Sequence, residues 1–165
     1  MKSRSGRVAL DCALLLALTL GTMYLAVWAT LAAHLPSTRL TLTAAFALLA
    51  ALLWVGLSRL GVRVCRPAIL LAVMLCLGSV AGAVFVYDSS FDGQIYHQDA
   101  VVQLHAGWNP FYDPAAPSSP WVRHYPKAPW MIAAFLYEFI PRIEVGKAAN
   151  AIAFFASLFA SFALL

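Results

Sequence analysis

From Tyr87 to Lys127 the chain reads YDSSFDGQIYHQDAVVQLHAGWNPFYDPAAPSSPWVRHYPK. This stretch, called the polar segment below, contains four of the seven acidic residues and three of the four histidines of the chain. The sequence on both sides of it is strongly apolar. We therefore expect two groups of membrane helices separated by the polar segment, and we expect any chemistry to occur in that segment.

The composition indicates an integral membrane protein. Hydrophobic residues make up 62% of the chain and charged residues 11%, whereas soluble domains carry about 25% charged residues. The net charge of +4 does not suggest a nucleic-acid partner, because the basic residues are divided among short loops and do not gather on one face. The three cysteines lie in or beside apolar runs without motif spacing, which favours a role as small apolar residues over a disulfide framework or a metal site.

Five apolar runs cover residues 8–33, 40–57, 68–86, 129–140 and 148–165. A membrane-crossing helix needs about 20 residues, so the first three runs are predicted to cross. The run 129–140 is short, and we expect it either to continue past Pro141 with a kink or to begin in a protein-lined cavity. In both cases residues 141–147 return to the cytoplasmic side. The last run ends without a flanking charge, which suggests the N-terminal part of a longer protein.

The predicted fold is therefore an all-α, multi-span transmembrane bundle. Residues 1–87 form three membrane helices, residues 88–128 an extracytoplasmic loop with a short surface helix, and residues 129–165 two further membrane helices. The orientation follows from the basic residues, of which three precede the first span, one lies in the first turn and three lie between residues 59 and 66. Because basic loops stay in the cytoplasm, the N-terminus is predicted to be cytoplasmic. The location that fits best is a bacterial inner (plasma) membrane.

Within the polar segment, acidic and polar residues recur at helical spacing. The stripe at i, i+4, i+7 and i+11 consists of Asp92, Tyr96, Asp99 and Gln103. Such spacing places side chains on one helix face and predicts an amphipathic helix over residues 92–106 on the membrane surface. Gly107 is expected to end it. Asp92 is expected at its start, where aspartate also serves as an N-cap, and Asp88 is expected to end the preceding span.

The order of these features resembles the C-type glycosyltransferases that use polyprenyl-phosphate sugars, above all the lipid A aminoarabinose transferases and the protein mannosyltransferases. Their first large outer loop runs D-E-x-x-Y-x-x-x-A, then G-x-W and a proline, then K-P-P-L. The matching residues here are Asp92, Tyr96, Ala100, Gly107, Trp108, Pro110 and the K-A-P-W of residues 127–130. The chain departs from the pattern at Gly93 and Ala128 and has two extra spans before the loop. The resemblance covers roughly residues 85–165.

The resemblance implies transfer of a sugar from a polyprenyl-phosphate donor to an extracytoplasmic lipid, glycan or protein acceptor. Asp92 would be the general base that activates the acceptor hydroxyl, and Arg123 or Lys127 would hold the lipid phosphate. The predicted substrate-binding residues are Tyr96, His97, Asp99, Trp108, Arg123, His124 and Lys127. Snorkelling at the outer interface is the alternative role for both cations.

Two questions stay open at this stage. His97 and His124 are candidates for acid–base work or for metal binding, so a divalent cation is not excluded, although no metal ligands are assigned. The rival interpretation is a non-enzymatic multi-span protein, such as a transporter fragment or assembly subunit, whose polar segment docks a partner. The number of membrane spans beyond residue 165 would distinguish the two interpretations.

Overall fold

The computed structural model describes residues 3–87, 89–113 and 119–165, and every regular element within them is helical. The all-α prediction is therefore confirmed for this part of the chain; Asp88 lies outside it. The helices are α1 (Arg4–Ala32), α2 (Arg39–Arg59), α3 (Arg66–Val84), a π-helical turn (Gly93–His97) that continues into α4 (Gln98–His105), α5 (Pro120–His124), α6 (Ala128–Phe139), and a 3-10 turn (Ile143–Lys147) that continues into α7 (Ala148–Phe162).

Four stretches among the described residues are long and apolar enough to cross a membrane, namely α1, α2, α3 and Ile143–Phe162. The chain is thus an integral membrane protein by the length and composition of its helices. α1 is the central element and contacts α2, α3, α6 and α7. We call its C-terminal end at Ala32 the loop end, because the polar segment packs against it, and its N-terminal end at Arg4 the basic end.

Side chains at the basic end hold α1 against the start of α3. Asp11 accepts a hydrogen bond from the backbone N–H of Cys65 at 2.9 Å, immediately before α3 begins. Arg7 lies 4.0 Å from the same carboxylate and also donates to the carbonyl of Arg63 at 3.1 Å. Asp11 therefore lies at the N-terminus of α3, where a negative charge is favourable.

The loop end is fixed by contacts from the polar segment to the last turn of α1. Asn109 donates to the carbonyl of Leu31 at 2.8 Å, and the hydroxyl of Tyr112 donates to the carbonyl of Ala32 at 2.7 Å. These are carbonyls that a helix terminus leaves without an intrahelical partner. The polar segment is thereby tied to the loop end.

The short helix α6 differs from the prediction. It has 12 residues, about 18 Å at 1.5 Å per residue, which is too short for a core of about 30 Å. Arg39, at the start of α2, donates to the carbonyl of Glu138 at 2.8 Å, and Lys147 donates to the carbonyl of Val86 at 2.9 Å. Both contacts lie at the loop end, so the expected return of residues 141–147 to the opposite side is wrong.

α6 is apolar because it is buried in protein and not because it crosses the membrane. Trp130, Met131 and Phe135 of this helix are buried together with residues of α1 and α4 in one hydrophobic cluster. α6 is therefore covered by protein on the side of the spanning helices and on the side of the surface helix. Of the two membrane helices predicted for residues 129–165, only Ile143–Phe162 has the length to cross.

Candidate active site

The surface helix begins slightly earlier than its spacing predicts, with its cap at Ser90 and not at Asp92. The hydroxyl oxygen of Ser90 accepts a hydrogen bond from the backbone N–H of Gly93 at 3.0 Å, which is the geometry of an N-cap side chain. Asp92 itself has helical dihedrals and makes no capping hydrogen bond. The expectation that Asp92 caps this helix is therefore wrong, and its exposed carboxylate is turned to another partner.

That partner is Tyr96, four residues further along. The phenol of Tyr96 interacts with the side chains of Asp92 and Tyr125. Burial, and then the negative charge of Asp92, raise the pKa of the Tyr96 phenol above its usual range, because both disfavour the phenolate. Asp92 and Tyr96 are thus brought together, with Tyr125 joining them from the segment before α6.

The rest of the predicted stripe forms a second pair. Asp99 accepts a hydrogen bond from the side-chain amide of Gln103 at 2.6 Å, and both residues are half-buried. The π-helical turn at Gly93–His97 contains an extra residue per turn and so interrupts the regular 3.6-residue period. Asp99 therefore belongs to a pair with Gln103, one turn beyond Asp92 and Tyr96.

His97 is oriented by a residue of α6. Its Nδ1 accepts a hydrogen bond from the indole N–H of Trp130 at 2.7 Å, so the neutral imidazole carries its proton on Nε2. His97 lines a cavity of about 270 Å³ that is also lined by Glu144 and Lys147. His97 is therefore placed beside Tyr96 in the chain but at a cavity of its own.

A second cavity, of about 420 Å³, contains three of the predicted substrate-binding residues: Trp108, Arg123 and Lys127. Tyr24 and Trp28 of α1 line its other wall. Three separate parts of the chain thus contribute aromatic rings and cationic side chains to one concave surface. We call it the cationic pocket.

Trp108 reaches the cationic pocket because of the turn before it. Gly107 has a positive φ of 99°, a conformation that glycine adopts without strain, and the N–H of Trp108 bonds back to the carbonyl of Gln103 at 2.8 Å. This is the expected C-terminal cap of the surface helix. The indole N–H of Trp108 then donates to the carbonyl of Asp113 at 2.8 Å, and the buried ring forms part of the pocket wall.

Lys127 is held in place by backbone groups. Its Nζ donates to the carbonyls of Arg123 and Tyr125, each at 2.7 Å, and lies 5.7 Å from the centre of the Trp130 ring. Burial lowers the pKa of the Lys127 ammonium, as expected where the charged form loses hydration. Lys127 therefore fixes the turn after α5 as well as lining the pocket.

The remaining predicted residue, His124, is exposed at the end of α5. None of the described contacts joins it to Asp92 or to the cationic pocket. Among residues 3–87, 89–113 and 119–165, no group of three or more histidine, cysteine or acidic side chains is placed to hold a metal ion.

The sequence did not indicate the contact between His105 and Glu138. Nδ1 of His105 lies 2.7 Å from a carboxylate oxygen of Glu138, whose side chain is only 13% exposed. The contact joins α4 to α6. The available signal was a carboxylate within an apolar run, because ionisable residues in such runs usually have a specific partner.

The chain matches no protein-family model, and neither curated proteins nor solved structures provide a match to it. The candidate site therefore rests on the geometry described above, in which Asp92 and Tyr96 lie at the start of the surface helix and the cationic pocket lies against α1.

Proposed function

We propose that this protein is a membrane glycosyltransferase that moves a sugar from a polyprenyl-phosphate donor to an extracytoplasmic acceptor. The observation that carries the proposal is the cationic pocket, in which Arg123 and Lys127 meet aromatic residues of the polar segment and of a membrane helix. A lipid phosphate needs cations for its headgroup and apolar surface for its chain, and this pocket offers both. The proposed donor is therefore a lipid that enters along α1.

The acid–base part of the reaction is assigned to Asp92. Its carboxylate would remove the proton from the acceptor hydroxyl while the oxygen bonds to the anomeric carbon of the donor sugar. The bond from that carbon to the phosphate oxygen then breaks, and polyprenyl phosphate leaves. Arg123 and Lys127 would stabilise the charge that develops on the leaving phosphate.

Tyr96 supports this role by its position. A neutral phenol beside Asp92 restricts the orientation of the carboxylate. The raised pKa of Tyr96 means that the phenol stays protonated at neutral pH. Tyr96 is thus a positioning residue in the proposed mechanism, and Asp92 is the base.

The proposed compartment follows from the charge distribution. The basic end carries Arg4, Arg7 and the arginines between α2 and α3, so it would face the cytoplasm. The polar segment would then face the outside of a bacterial inner membrane. The C-type glycosyltransferases that the sequence resembles use polyprenyl-phosphate sugars on that side. The acceptor, whether lipid, glycan or protein, would approach from the same side.

Substitution of Asp92 tests the assignment. Asp92→Asn keeps the size of the side chain but removes the proton acceptor, and a general base contributes about 10²- to 10⁴-fold. Transfer from polyprenyl-phosphate hexose, pentose or aminopentose should fall by that factor in membranes that contain the protein at normal levels. Asp113→Asn is the matched control, because Trp108 bonds to the backbone carbonyl of Asp113, which the substitution leaves in place; the activity of this variant should stay near that of the unmodified protein.

Lys127→Ala should act on the donor instead. It removes a cation that would bind the donor phosphate and stabilise the leaving phosphate, and it leaves Asp92 unchanged, so it should both raise the donor KM and lower kcat. Full activity of Asp92→Asn would contradict the proposed base. Absence of transfer with every donor, together with stable binding of another membrane protein to the polar segment, would favour the non-enzymatic alternative.

A further inference from the structure

Three aromatic rings lie in mutual contact beside Asp92. The ring centres of Tyr96 and Tyr125 are 5.4 Å apart, those of Trp121 and Tyr125 are 5.7 Å apart, and those of Tyr96 and Trp121 are 6.3 Å apart. Tyr96 is only 7% exposed, whereas Trp121 is 53% and Tyr125 38% exposed. Tyr96 is therefore the buried base of the cluster, and the other two rings form its accessible surface.

We propose that this cluster, called the aromatic platform, binds the pyranose ring of the sugar donor. One face of a pyranose consists of C–H groups, which pack on the electron-rich face of a Trp or Tyr ring. Its hydroxyls lie at the rim, where a carboxylate is a strong acceptor. Asp92 supplies such a carboxylate, because its interaction with Tyr96 places it beside the platform.

The geometry argues against a quaternary ammonium ligand. Recognition of such a cation requires rings spread around it, each with its centre within about 6 Å of the cation. Centres separated by 5.4 to 6.3 Å belong to rings that touch one another, so the rings themselves fill the space between them. The planes of the two exposed rings, Trp121 and Tyr125, are inclined by 62°. The accessible part is therefore the face of one ring bordered by the edge of the other, on which a pyranose can stack.

The platform adjoins the cationic pocket along the chain. Trp121 and Tyr125 belong to the platform, while Arg123 lines the pocket, and Lys127 bonds to the carbonyls of both Arg123 and Tyr125. A sugar on the platform would thus lie near the cations of the pocket and near Asp92. A sugar joined to a phosphate has an anionic group for the cations and hydroxyls for the carboxylate, so the inference deepens the proposed function and rests on it.

Binding of soluble sugars tests the platform separately from transfer. Methyl pyranosides and pyranose 1-phosphates are added at millimolar concentrations to the purified protein in lipid nanodiscs, and binding is followed by saturation-transfer NMR. The unmodified protein should bind them saturably. Trp121→Ala should weaken binding roughly two- to tenfold, the factor for one lost aromatic contact, and Trp121→Phe should restore most of it.

Trp54→Ala is the matched control, because Trp54 is 58% exposed on α2 and belongs to neither the platform nor the pocket; sugar binding should not change. Equal thermal unfolding of all variants excludes misfolding. The platform would be overturned by unchanged sugar binding in Trp121→Ala or by the lack of saturable binding in the unmodified protein. It would also be overturned if tetramethylammonium, but not sugars, changed the tryptophan fluorescence and Trp121→Ala abolished that change. Sugar binding without transfer would instead support the platform and refute the transferase, whereas normal transfer by Trp121→Ala would refute only the platform.

Discussion

At the level of single residues, the pair of Asp92 and Tyr96 shows what spacing can and cannot predict. Residues four apart on a helix are neighbours, so their contact could be predicted from the sequence. The role of Ser90 as the cap could not, because serine and aspartate are equally good caps. The bond from Trp130 to His97 joins residues 33 positions apart, and only the fold of the chain determines such a contact.

The contact between Asp92 and Tyr96 predicts that the Tyr96 phenol ionises at a higher pH than an ordinary tyrosine. The difference in phenolate absorbance between the unmodified protein and Tyr96→Phe reports this phenol and should rise above pH 10.0, the ordinary value. In an Asp92→Asn background the same difference curve should move down towards pH 10.0, because the negative charge is gone. It should not reach that value, since burial is the larger cause and remains.

The direction of the shift also fixes the effect on stability. The folded protein holds the proton of Tyr96 more tightly than the unfolded chain does. The contribution of Tyr96 to the free energy of unfolding is therefore fully present below pH 10.0. It is lost as the pH rises through the higher pKa of the folded state. Tyr96→Phe should therefore lose less stability than the unmodified protein on going from neutral to strongly alkaline pH. Parallel curves for the two proteins, or an unmoved titration in Asp92→Asn, would contradict the assigned contact.

At the level of elements, α6 explains why one predicted crossing was wrong. A helix packed on both sides by protein and a helix surrounded by lipid have the same apolar pattern, so periodicity cannot separate them. The length of 12 residues and the carboxylate of Glu138 were the signals against a crossing. The C-terminal end of α6 is held by the chain itself, because Arg39 donates to the backbone carbonyl of Glu138 and His105 contacts the Glu138 carboxylate.

The packing of α6 on the 3-10 turn predicts a sensitive glycine. A Cβ added to Gly146 would lie 2.7 Å from the Cβ of Ala133, closer than two carbon atoms can approach without movement. Gly146→Ala should therefore lower the free energy of unfolding by about 1–3 kcal/mol, as overpacking does, measured by thermal unfolding in detergent.

Gly78→Ala is the control for this change. No atom lies within 4 Å of a Cβ built at Gly78, and alanine is favoured over glycine in a helix by about 1 kcal/mol. This variant should be as stable as the unmodified protein or slightly more stable. Equal effects of the two substitutions would show that the 3-10 turn is not packed closely on α6.

At the level of the whole molecule, the composition was sufficient to predict membrane helices, and α1, α2 and α3 cover the first three predicted spans. The arrangement of the second half was not predictable from composition, because it depends on contacts at the loop end. Lys147 bonds next to the end of α3, and α7 then runs back to the basic end, where Phe159 lies in a common cavity with Val8 of α1. Among the described residues, four stretches are therefore long and apolar enough to cross a membrane, where five crossings were expected.

The number of crossings can be measured by labelling single cysteines in a background whose three native cysteines are replaced by alanine. Cysteines are introduced at Ser58, Ser89 and Arg142, all exposed, and intact cells are treated with a membrane-impermeant thiol reagent. With the basic end in the cytoplasm, Ser89→Cys should react and Ser58→Cys should react only after lysis.

Arg142→Cys distinguishes the two arrangements, because four crossings put it on the side of Ser89 and five put it on the side of Ser58. If Arg142→Cys reacted only after lysis, the placement of α6 at the loop end would be refuted. Labelling of Ser58→Cys alone in intact cells would reverse the orientation and put the proposed site in the cytoplasm.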